Sequence, residues 1–270
     1  MWYAVVLSAM PLGVCTTFPN DAWEVYARTA LETFARHWPA DVRLTVYLDD
    51  EALVAECWQA LEARQAMSDV RVGKLPAHDA FLRRNGVEES SDFRYGACRF
   101  SHKVAALKAT FDGVATDANG CILWLDADVI TTAPVTHDWL AQFLPSGAHH
   151  VSYLGRPRFP FSECGFVGYR TSEEGRAFLD AFWAMYESEA LFKLPQWHDS
   201  FIFDRVRECF EVAWFKNIAE GALGVHVWLN TPLAERLEHW KGPVAKRLRR
   251  PISDQEAVAI AQAARAPAGS

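Results

Sequence analysis

The sequence CILWLDADVITT, residues 121–132, joins an apolar run of strand length to two carboxylates. Residues 122–125 predict a central β-strand, because a short continuous apolar run that ends at polar residues is typical of a strand buried on both faces. Asp126 and Asp128 follow that run directly. Ligands of open α/β sheets bind outside the carboxyl ends of the strands, so the two acids are candidates either for a ligand site or for solvated loop positions.

Strands and helices alternate on both sides of this stretch. The expected strands are residues 3–7, 42–50, 70–75, 122–125, 149–155, 164–170 and 225–230, with a Pro/Gly loop after the first of them. The expected helices are residues 51–66, 93–111, 172–188 and 198–209, and an earlier helix that a capping-box pattern of Asp21 and Glu24 opens and Pro39 ends. This alternation predicts an α/β fold in one domain, with a doubly wound, mostly parallel sheet flanked by helices.

The composition is that of a globular protein, since 50% of the 270 residues are hydrophobic and 23% are charged. The net charge of −7 disfavours general binding to polyanions. The segment KGPVAKRLRR, residues 241–250, departs from this balance with five cations and no acid. We expect residues 1–250 to form the domain and residues 251–270 to form a C-terminal tail, either a short helix or disordered.

Cysteine spacing and hydropathy bear on the cellular compartment. The six cysteines are scattered without a C-x-x-C pair, which argues against a zinc site and for a reduced, intracellular chain. The apolar opening, residues 1–10, lacks a basic stretch and a cleavage site, so it predicts a strand and not a signal peptide. No run approaches the about 18 apolar residues of a membrane span. The prediction is a cytoplasmic protein without a transmembrane segment.

The spacing of Asp126 and Asp128 suits a metal ion. Two carboxylates separated by one residue can turn their oxygens to the same side of a strand end, and such hard oxygen ligands bind Mg²⁺ or Mn²⁺. An ion held in this way would bridge the phosphates of a nucleotide. The tripeptide alone is expected about once by chance in a chain of this length. The prediction therefore depends on its context: the apolar strand before it, the aromatic Trp124, the Val-Ile-Thr-Thr continuation and Pro134 after it.

In this context the sequence resembles the GT-A glycosyltransferases, which use nucleotide-sugar donors and have an apolar strand that ends in D-x-D. The matching segments are LWLDADV (123–129) and the basic helix RYGACRFSHKVAAL (94–107) before it. The later segment HWKGPVAK (239–246) resembles the H-x-x-G-x-x-K element of glycogenin-like and lipopolysaccharide galactosyltransferase-like enzymes. Lys246 comes one residue later than in that element, and Lys241 is an alternative to it.

The resemblance implies roles for particular residues. Asp126, Asp128 and His239 would hold Mn²⁺ or Mg²⁺ on the diphosphate of a nucleotide sugar, with a UDP sugar as the expected donor. The donor-binding candidates are Lys241 and Lys246 for the diphosphate, Arg99 and Lys103 for phosphate, and Ser8 and Asp49, at the ends of the first two strands, for base and ribose. A solvated helix face is the alternative for Arg99 and Lys103, and a basic surface or a patch for an anionic acceptor is the alternative for the lysine-rich loop.

The acceptor side is predicted from two segments. RFPFSECGFVGYR places Glu163 before a glycine-containing strand, and QWHDSFIFD places Trp197, His198 and Asp199 at the start of a helix. Glu163 and Asp199 are the candidate catalytic carboxylates, with His198 as a second candidate base and Trp197 as a surface for stacking on a sugar ring. Asp199 has an alternative role as a helix N-cap. The acceptor is left open among glycans, lipids, proteins and modified nucleic acid bases.

Three functions are therefore compared. The favoured one is metal-dependent transfer of a hexosyl or pentosyl group from a nucleotide sugar to an acceptor hydroxyl. The alternative enzyme is a haloacid-dehalogenase-like phosphatase, whose first motif is also an apolar strand ending in D-x-D, with Asp126 as nucleophile and Asp128 as acid/base. That family expects Thr or Val where Ile130 stands, and its motif near the N-terminus. The third possibility is a GT-A fold that only binds.

Overall fold

The computed structural model describes residues 11–86, 92–157, 159–224, 226–256 and residue 259. The strands in this part of the chain are β1 (Leu12–Thr17), β2 (Arg43–Leu48), β3 (Ser68–Val72), β4 (Cys121–Leu125), β5 (Val129–Thr131), β6 (Val151–Leu154), β7 (Glu163–Arg170), β8 (Phe215–Asn217) and β9 (Leu237–His239). The α-helices are α1 (Arg28–His37), α2 (Val54–Ala60), α3 (Pro76–Asn85), α4 (Ala97–Asp112), α5 (His137–Ala141), α6 (Glu173–Glu187), α7 (Asp199–Arg207) and α8 (Gly242–Leu248).

Seven strands form one mixed sheet in the order β3-β2-β1-β4-β7-β6-β8. β1 to β4 run parallel to one another, so their carboxyl ends meet at one edge. β7 is antiparallel to both β4 and β6, and β8 pairs in parallel with β6. The predicted α/β class, with a mostly parallel sheet flanked by helices, is confirmed.

Helices cover both faces of this sheet because the central strands are apolar on both sides. In β4 the side chains alternate between two cores, with Leu123 and Leu125 in one and Ile122 and Trp124 in the other. The first core lies under α1 and α2, and the second under α4, α6 and α7. All five residues of β4 are buried, as the apolar run predicts.

β5 and β9 form a separate two-stranded antiparallel ladder that the sequence analysis does not predict. The strands are only three residues long, too short for a clear alternation of polar and apolar residues. α8 follows directly, and Ala245 of α8 packs in a small core with Ile130 and Trp240. This unit lies beside the carboxyl end of β4, since the amide of Trp240 donates to the carbonyl oxygen of Asp128.

One loop prediction and one strand prediction are wrong. β1 occupies residues where a Pro/Gly loop was expected, because Val14 and Cys15 enter the cores on opposite faces of the sheet. The predicted first strand, residues 3–7, lies outside the described residues. Residues 227–230 form a 3₁₀ turn instead of the predicted last strand, with Trp228 buried and its Nε1 donating to the carbonyl oxygen of Leu237 at 2.9 Å.

The helix predictions are mostly confirmed, with differences at their starts. The first helix ends before Pro39 as expected, but it begins with a 3₁₀ turn (Asn20–Ala22) and a π turn (Trp23–Ala27), neither of which has a side-chain cap. The capping box is therefore wrong. The predicted helix 51–66 is α2 flanked by two 3₁₀ segments, and α3 is an additional helix.

Among the described residues, none of the helices combines the length and the apolar character that crossing a membrane requires. Most of the predicted C-terminal tail, residues 257–258 and 260–270, lies outside the described residues.

Candidate metal centre

The pairing of β5 with β9 places His239 beside the D-x-D segment. Val129 is the register partner of His239, and the backbone amide of Trp240 donates to the carbonyl oxygen of Asp128 at 2.9 Å. On the other side, the amide of Asp126 donates to the carbonyl oxygen of Gly165, also at 2.9 Å. Three segments far apart in sequence therefore meet at the carboxyl end of β4.

Asp126, Asp128 and His239 each offer a ligand atom, and these atoms lie within 4.8 Å of one another. His239 Nε2 is 3.2 Å from Asp128 Oδ1 and 3.9 Å from Asp126 Oδ2. The second oxygen of each carboxylate is held elsewhere, since Asp126 Oδ1 is 3.1 Å from Lys103 Nζ and Asp128 Oδ2 is 2.9 Å from Lys246 Nζ. The inward oxygens and the imidazole nitrogen thus face a common point.

The donor set fits Mg²⁺ or Mn²⁺. Two carboxylates and one imidazole are ligand types that these ions accept. Asp128 Oδ1 is buried, and His239 Nε2, at 3.2 Å, forms an ion pair with it without meeting hydrogen-bond geometry. A cation between the oxygen and the imidazole nitrogen would satisfy both. Burial raises the pKa of Asp128, but His239 and Lys246 outweigh that effect and hold the pKa well below its usual range. The carboxylate is therefore ionised and available to a cation.

His239 is fixed on its other side by Glu163, whose Oε1 lies 3.0 Å from His239 Nδ1. Burial lowers the pKa of His239, but Asp128 and Glu163 outweigh burial and raise it to about 9. Burial likewise raises the pKa of Glu163, while Lys241, 3.2 Å from the same oxygen, and His239 lower it overall. The ring of Trp228 packs against that of His239 with centroids 5.0 Å apart.

Lys103 lies inside the site and not on a solvated helix face. Its ammonium is 3.1 Å from Asp126 Oδ1 and 2.7 Å from Asp199 Oδ2, donates to the carbonyl oxygen of Cys164, and lies over the Trp124 ring at 5.0 Å. Burial lowers the pKa of Lys103, but Asp126 and Asp199 outweigh it and raise the pKa above its usual range. The lysine therefore remains charged.

Asp199 is not the N-cap of α7. His198 caps this helix, its Nδ1 accepting from the amide of Phe201, and Asp199 is the first helical residue. Burial raises the pKa of Asp199, but the adjacent Lys103 lowers it further than burial raises it. The pKa of His198 is lowered chiefly by burial. The alternative that Asp199 only caps the helix is therefore wrong.

Aromatic side chains surround His198 and Trp197. The ring centroids of Phe93, Phe100 and Phe161 lie 5.3, 6.0 and 4.4 Å, respectively, from the centroid of the His198 ring. Trp197 packs edge-on against Tyr95 at 5.2 Å and Phe192 at 5.0 Å, and its Nε1 donates to the carbonyl oxygen of Leu194. Phe93 is 50% exposed and Trp197 is half-buried.

The candidates for the donor base lie farther along the same edge. Asp49 Oδ1 accepts from Lys74 Nζ at 2.6 Å and lies 2.9 Å from His102 Nδ1. Burial raises the pKa of Asp49, but His102 and Lys74 lower it well below its usual range. Arg99 is exposed on α4. Burial and Asp128 raise the pKa of Tyr26, and the positive charge of Arg99 opposes this rise. Ser8 lies outside the described residues.

The contacts of several residues at this edge were not predicted. Trp124 donates from Nε1 to Asp126 Oδ1 at 2.5 Å, and Tyr26 lies under Lys246 Nζ, 4.3 Å from the ring centroid. Trp124 could have been found, because residues two apart on a strand share a face. Lys74 also follows a parallel strand directly, but the predicted strand 70–75 included it.

The chain is similar to parts of solved glycosyltransferase structures. One is apo GlyE of Streptococcus pneumoniae TIGR4, with 15% identity over 77% of this chain and 45% of that one, at a TM-score of 0.49. A second GlyE structure has 15% identity over 76% of this chain and 44% of that one, at a TM-score of 0.48. Apo mouse xyloside xylosyltransferase 1 has 14% identity over 76% of this chain and 83% of that one, at a TM-score of 0.45. The chain thus spans less than half of GlyE. No protein-family model and no curated protein matches the sequence.

Proposed function

We propose that this chain is a metal-dependent glycosyltransferase that takes a sugar from a nucleotide-sugar donor, with a UDP sugar as the expected donor. The observation that carries the proposal is the convergence of Asp128 Oδ1, Asp126 Oδ2 and His239 Nε2 at the carboxyl edge of the sheet. Ligands of open α/β sheets bind at this edge. The resemblance of LWLDADV and HWKGPVAK to the GT-A motifs supports the same assignment.

Asp126, Asp128 and His239 would hold the ion. A bound Mn²⁺ or Mg²⁺ would supply positive charge that stabilises the departing nucleoside diphosphate. Lys241, on the loop after His239, and Lys246, on α8, add fixed cations beside that position. Such preorganised charges favour leaving-group departure because they need no reorganisation during the reaction.

Asp199 and Lys103 would act next to the ion. Lys103 joins Asp126 to Asp199, so the first helical residue of α7 is tied to the metal centre. The lowered pKa of Asp199 keeps its carboxylate ionised, which suits acceptance of a hydrogen bond from a sugar hydroxyl better than proton abstraction. The neighbouring rings of Trp197 and Tyr95 offer an apolar face to a sugar acceptor.

The phosphatase alternative requires Asp126 to attack phosphorus as a nucleophile. Asp126 Oδ1 is held by Trp124 and Lys103, and Asp126 Oδ2 faces His239. No observation on the described residues favours that reaction over metal binding.

Release of nucleotide from donors tests the proposal without knowledge of the acceptor. UDP, GDP and CMP sugars are incubated with the chain, with and without Mn²⁺, and free nucleotide is measured. We expect slow, Mn²⁺-dependent release from one donor class, and an increase in melting temperature with the matching diphosphate and Mn²⁺. Asp126→Ala should abolish both effects, whereas Asp138→Asn, at an exposed position on α5, should change neither.

Two other outcomes would contradict the proposed glycosyltransferase activity. If no nucleoside diphosphate stabilises the chain in the presence of Mn²⁺ and a generic phosphate ester is hydrolysed, the glycosyltransferase assignment is wrong. Binding of diphosphate and Mn²⁺ without donor hydrolysis or transfer to any acceptor tested would instead support a fold that only binds.

A further inference from the structure

Glu163 is the most deeply buried carboxylate at this edge of the sheet among the described residues, at 1% exposure. It begins β7, and its Oε1 lies 3.0 Å from His239 Nδ1 and 3.2 Å from Lys241 Nζ. Glu163 Oε2 is buried and has no hydrogen-bond partner among the described residues. Among the described residues, the hydrogen-bond and ion-pair contacts of this carboxylate are with the imidazole and the ammonium, through a single oxygen.

This contact determines which nitrogen of His239 is available to an ion. Glu163 Oε1 lies 3.0 Å from His239 Nδ1, and this carboxylate oxygen accepts a hydrogen bond from Nδ1–H. With Nδ1 donating to Glu163, Nε2 is the nitrogen that faces Asp128 and Asp126. An ion that binds there displaces the Nε2 proton of the imidazolium, because a metal ligand must be deprotonated. A carboxylate behind a ligating histidine fixes the tautomer and the orientation of its ring.

Gly165, two residues later on the same strand, provides the space that this ring orientation needs. A Cβ atom at Gly165 would lie 2.9 Å from His239 Cε1 and 3.3 Å from Asp126 Oδ2. The carbonyl oxygen of Gly165 accepts from the amide of Asp126. One end of β7 therefore contacts two of the three candidate ligands, by hydrogen bonds and by close approach.

We propose that Glu163 is a positioning residue of the metal centre, which orients His239 toward the ion and holds Lys241 beside it, and is not the base that activates an acceptor. The inference rests on the proposed function, because it requires an ion at Asp126, Asp128 and His239. It assigns Glu163 a role that neither of the two motifs contains.

The test measures Mn²⁺ affinity in the absence of any nucleotide, from the electron paramagnetic resonance signal of free Mn²⁺. Loss of a partner of this kind typically weakens metal binding about 10- to 100-fold, which is the expected effect of Glu163→Ala. Glu163→Gln retains an oxygen that accepts from Nδ1–H, so we expect it to restore part of the affinity. Glu163→Met fills a similar space but offers no oxygen acceptor, so it should not restore the affinity. A difference between the Gln and Met variants is a readout that mere loss of packing would not give.

Asp204→Asn is the matched control. Asp204 is also a buried carboxylate close to Glu163 in the chain fold, accepting from the amide and hydroxyl of Ser162 at 2.6 and 2.8 Å. It contacts the segment next to Glu163 but not His239. Its replacement should lower the melting temperature and leave Mn²⁺ affinity within about twofold of the original, since it removes a buried hydrogen-bond acceptor and no support of the ion.

Three results would overturn the inference. Unchanged Mn²⁺ affinity in the Glu163→Ala and Glu163→Gln variants shows that Glu163 does not position His239 for the ion. If those variants also lose donor hydrolysis, Glu163 has a direct chemical role instead. Equal losses in Glu163→Gln and Asp204→Asn show a general effect on folding. Failure of the unsubstituted chain to bind Mn²⁺ overturns the proposed metal centre as well, so the two failures are distinguishable. If Glu163→Ala does not fold, the near-isosteric Glu163→Gln decides the question by its comparison with Asp204→Asn.

Discussion

Lys103 Nζ lies 2.7 Å from Asp199 Oδ2, and the two side chains are only 8% and 7% exposed. The same ammonium is 3.1 Å from Asp126 Oδ1. A buried cation thus lies between a proposed metal ligand and the first residue of α7. It forms ion pairs with two carboxylates at once and so joins α7 to the candidate metal site.

We expect Lys103→Met, which keeps the length of the side chain, to reduce the free energy of unfolding by about 3–5 kcal/mol. Removal of one partner of a buried ion pair leaves a charge without compensation, and this causes the loss. Urea denaturation followed by circular dichroism measures it.

The double variant Lys103→Met/Asp199→Asn should be more stable than Lys103→Met alone, because it also removes the uncompensated charge of Asp199. A Lys103→Met variant within about 0.5 kcal/mol of the original chain, a size typical of surface substitutions, would show that the ion pair does not stabilise the fold.

The sequence could predict β2 and β4 from their patterns of apolar residues. The continuous run 122–125 indicates directly that β4 is buried, and the alternation of Leu44, Val46 and Leu48 with polar residues indicates β2, which is buried from 44 to 48. β1 was missed because Pro11 and Gly13 look like loop residues, and nothing local shows that Val14 and Cys15 enter two different cores. Tertiary burial outweighs local propensity at such positions.

The site was predictable where residues follow strands or match motifs, and not where contacts are long-range. Asp126 and Asp128 follow an apolar strand, and His239 was found only through the resemblance of HWKGPVAK. The contact of Glu163 with His239 joins residues 76 positions apart, and no spacing rule predicts such a pair. Lys103 appeared as one of two basic residues on a helix, and only the packing of α4 against β4 shows that it is buried.

Gly165→Ala tests how tightly the site is packed. The added Cβ would lie 2.9 Å from His239 Cε1, so the ring or the strand must move. We expect a loss of about 1–3 kcal/mol in the free energy of unfolding, the usual cost of overpacking, together with weaker Mn²⁺ binding. Gly13→Ala in β1 is the matched control, because the nearest atom to its added Cβ is 4.0 Å away. If both substitutions have the same effect on Mn²⁺ affinity, Gly165 has no special relation to the site.

His78 should make the fold sensitive to acid. Burial, together with the nearby His102 and Lys74, lowers its pKa from 6.5 to about 3, and its Nε2 lies 2.9 Å from Ser101 Oγ. The unfolded chain takes up this proton below about pH 6.5, whereas the folded chain does so only near pH 3. The contribution of His78 to stability is therefore complete above pH 6.5 and is lost as the pH falls toward 3.

The slope attributable to this one group is about 1.4 kcal/mol per pH unit between those limits. We expect His78→Gln to remove that much slope from a series of urea denaturation experiments between pH 4 and pH 6. His149→Gln, at a more exposed histidine, should retain it. Identical slopes in the original chain and the His78 variant would mean that His78 titrates in the same range whether folded or unfolded.

Lys246 and the proposed ion are both attracted by Asp128. Replacement of Lys246 should therefore strengthen the binding of Mn²⁺ alone and weaken the binding of UDP. Lys246 Nζ is 2.9 Å from Asp128 Oδ2 and repels a second cation at the same carboxylate. We expect Lys246→Gln to bind Mn²⁺ alone about tenfold more tightly, since a like charge within several ångströms is removed from a partly buried site. The same variant should bind UDP more weakly at saturating Mn²⁺, because the diphosphate loses a cationic partner.

Arg247→Gln, at the next and exposed position of α8, serves as the control for charge alone. Weaker binding of Mn²⁺ alone by the Lys246 variant would show that the lysine holds Asp128 in place for the ion and does not compete with it.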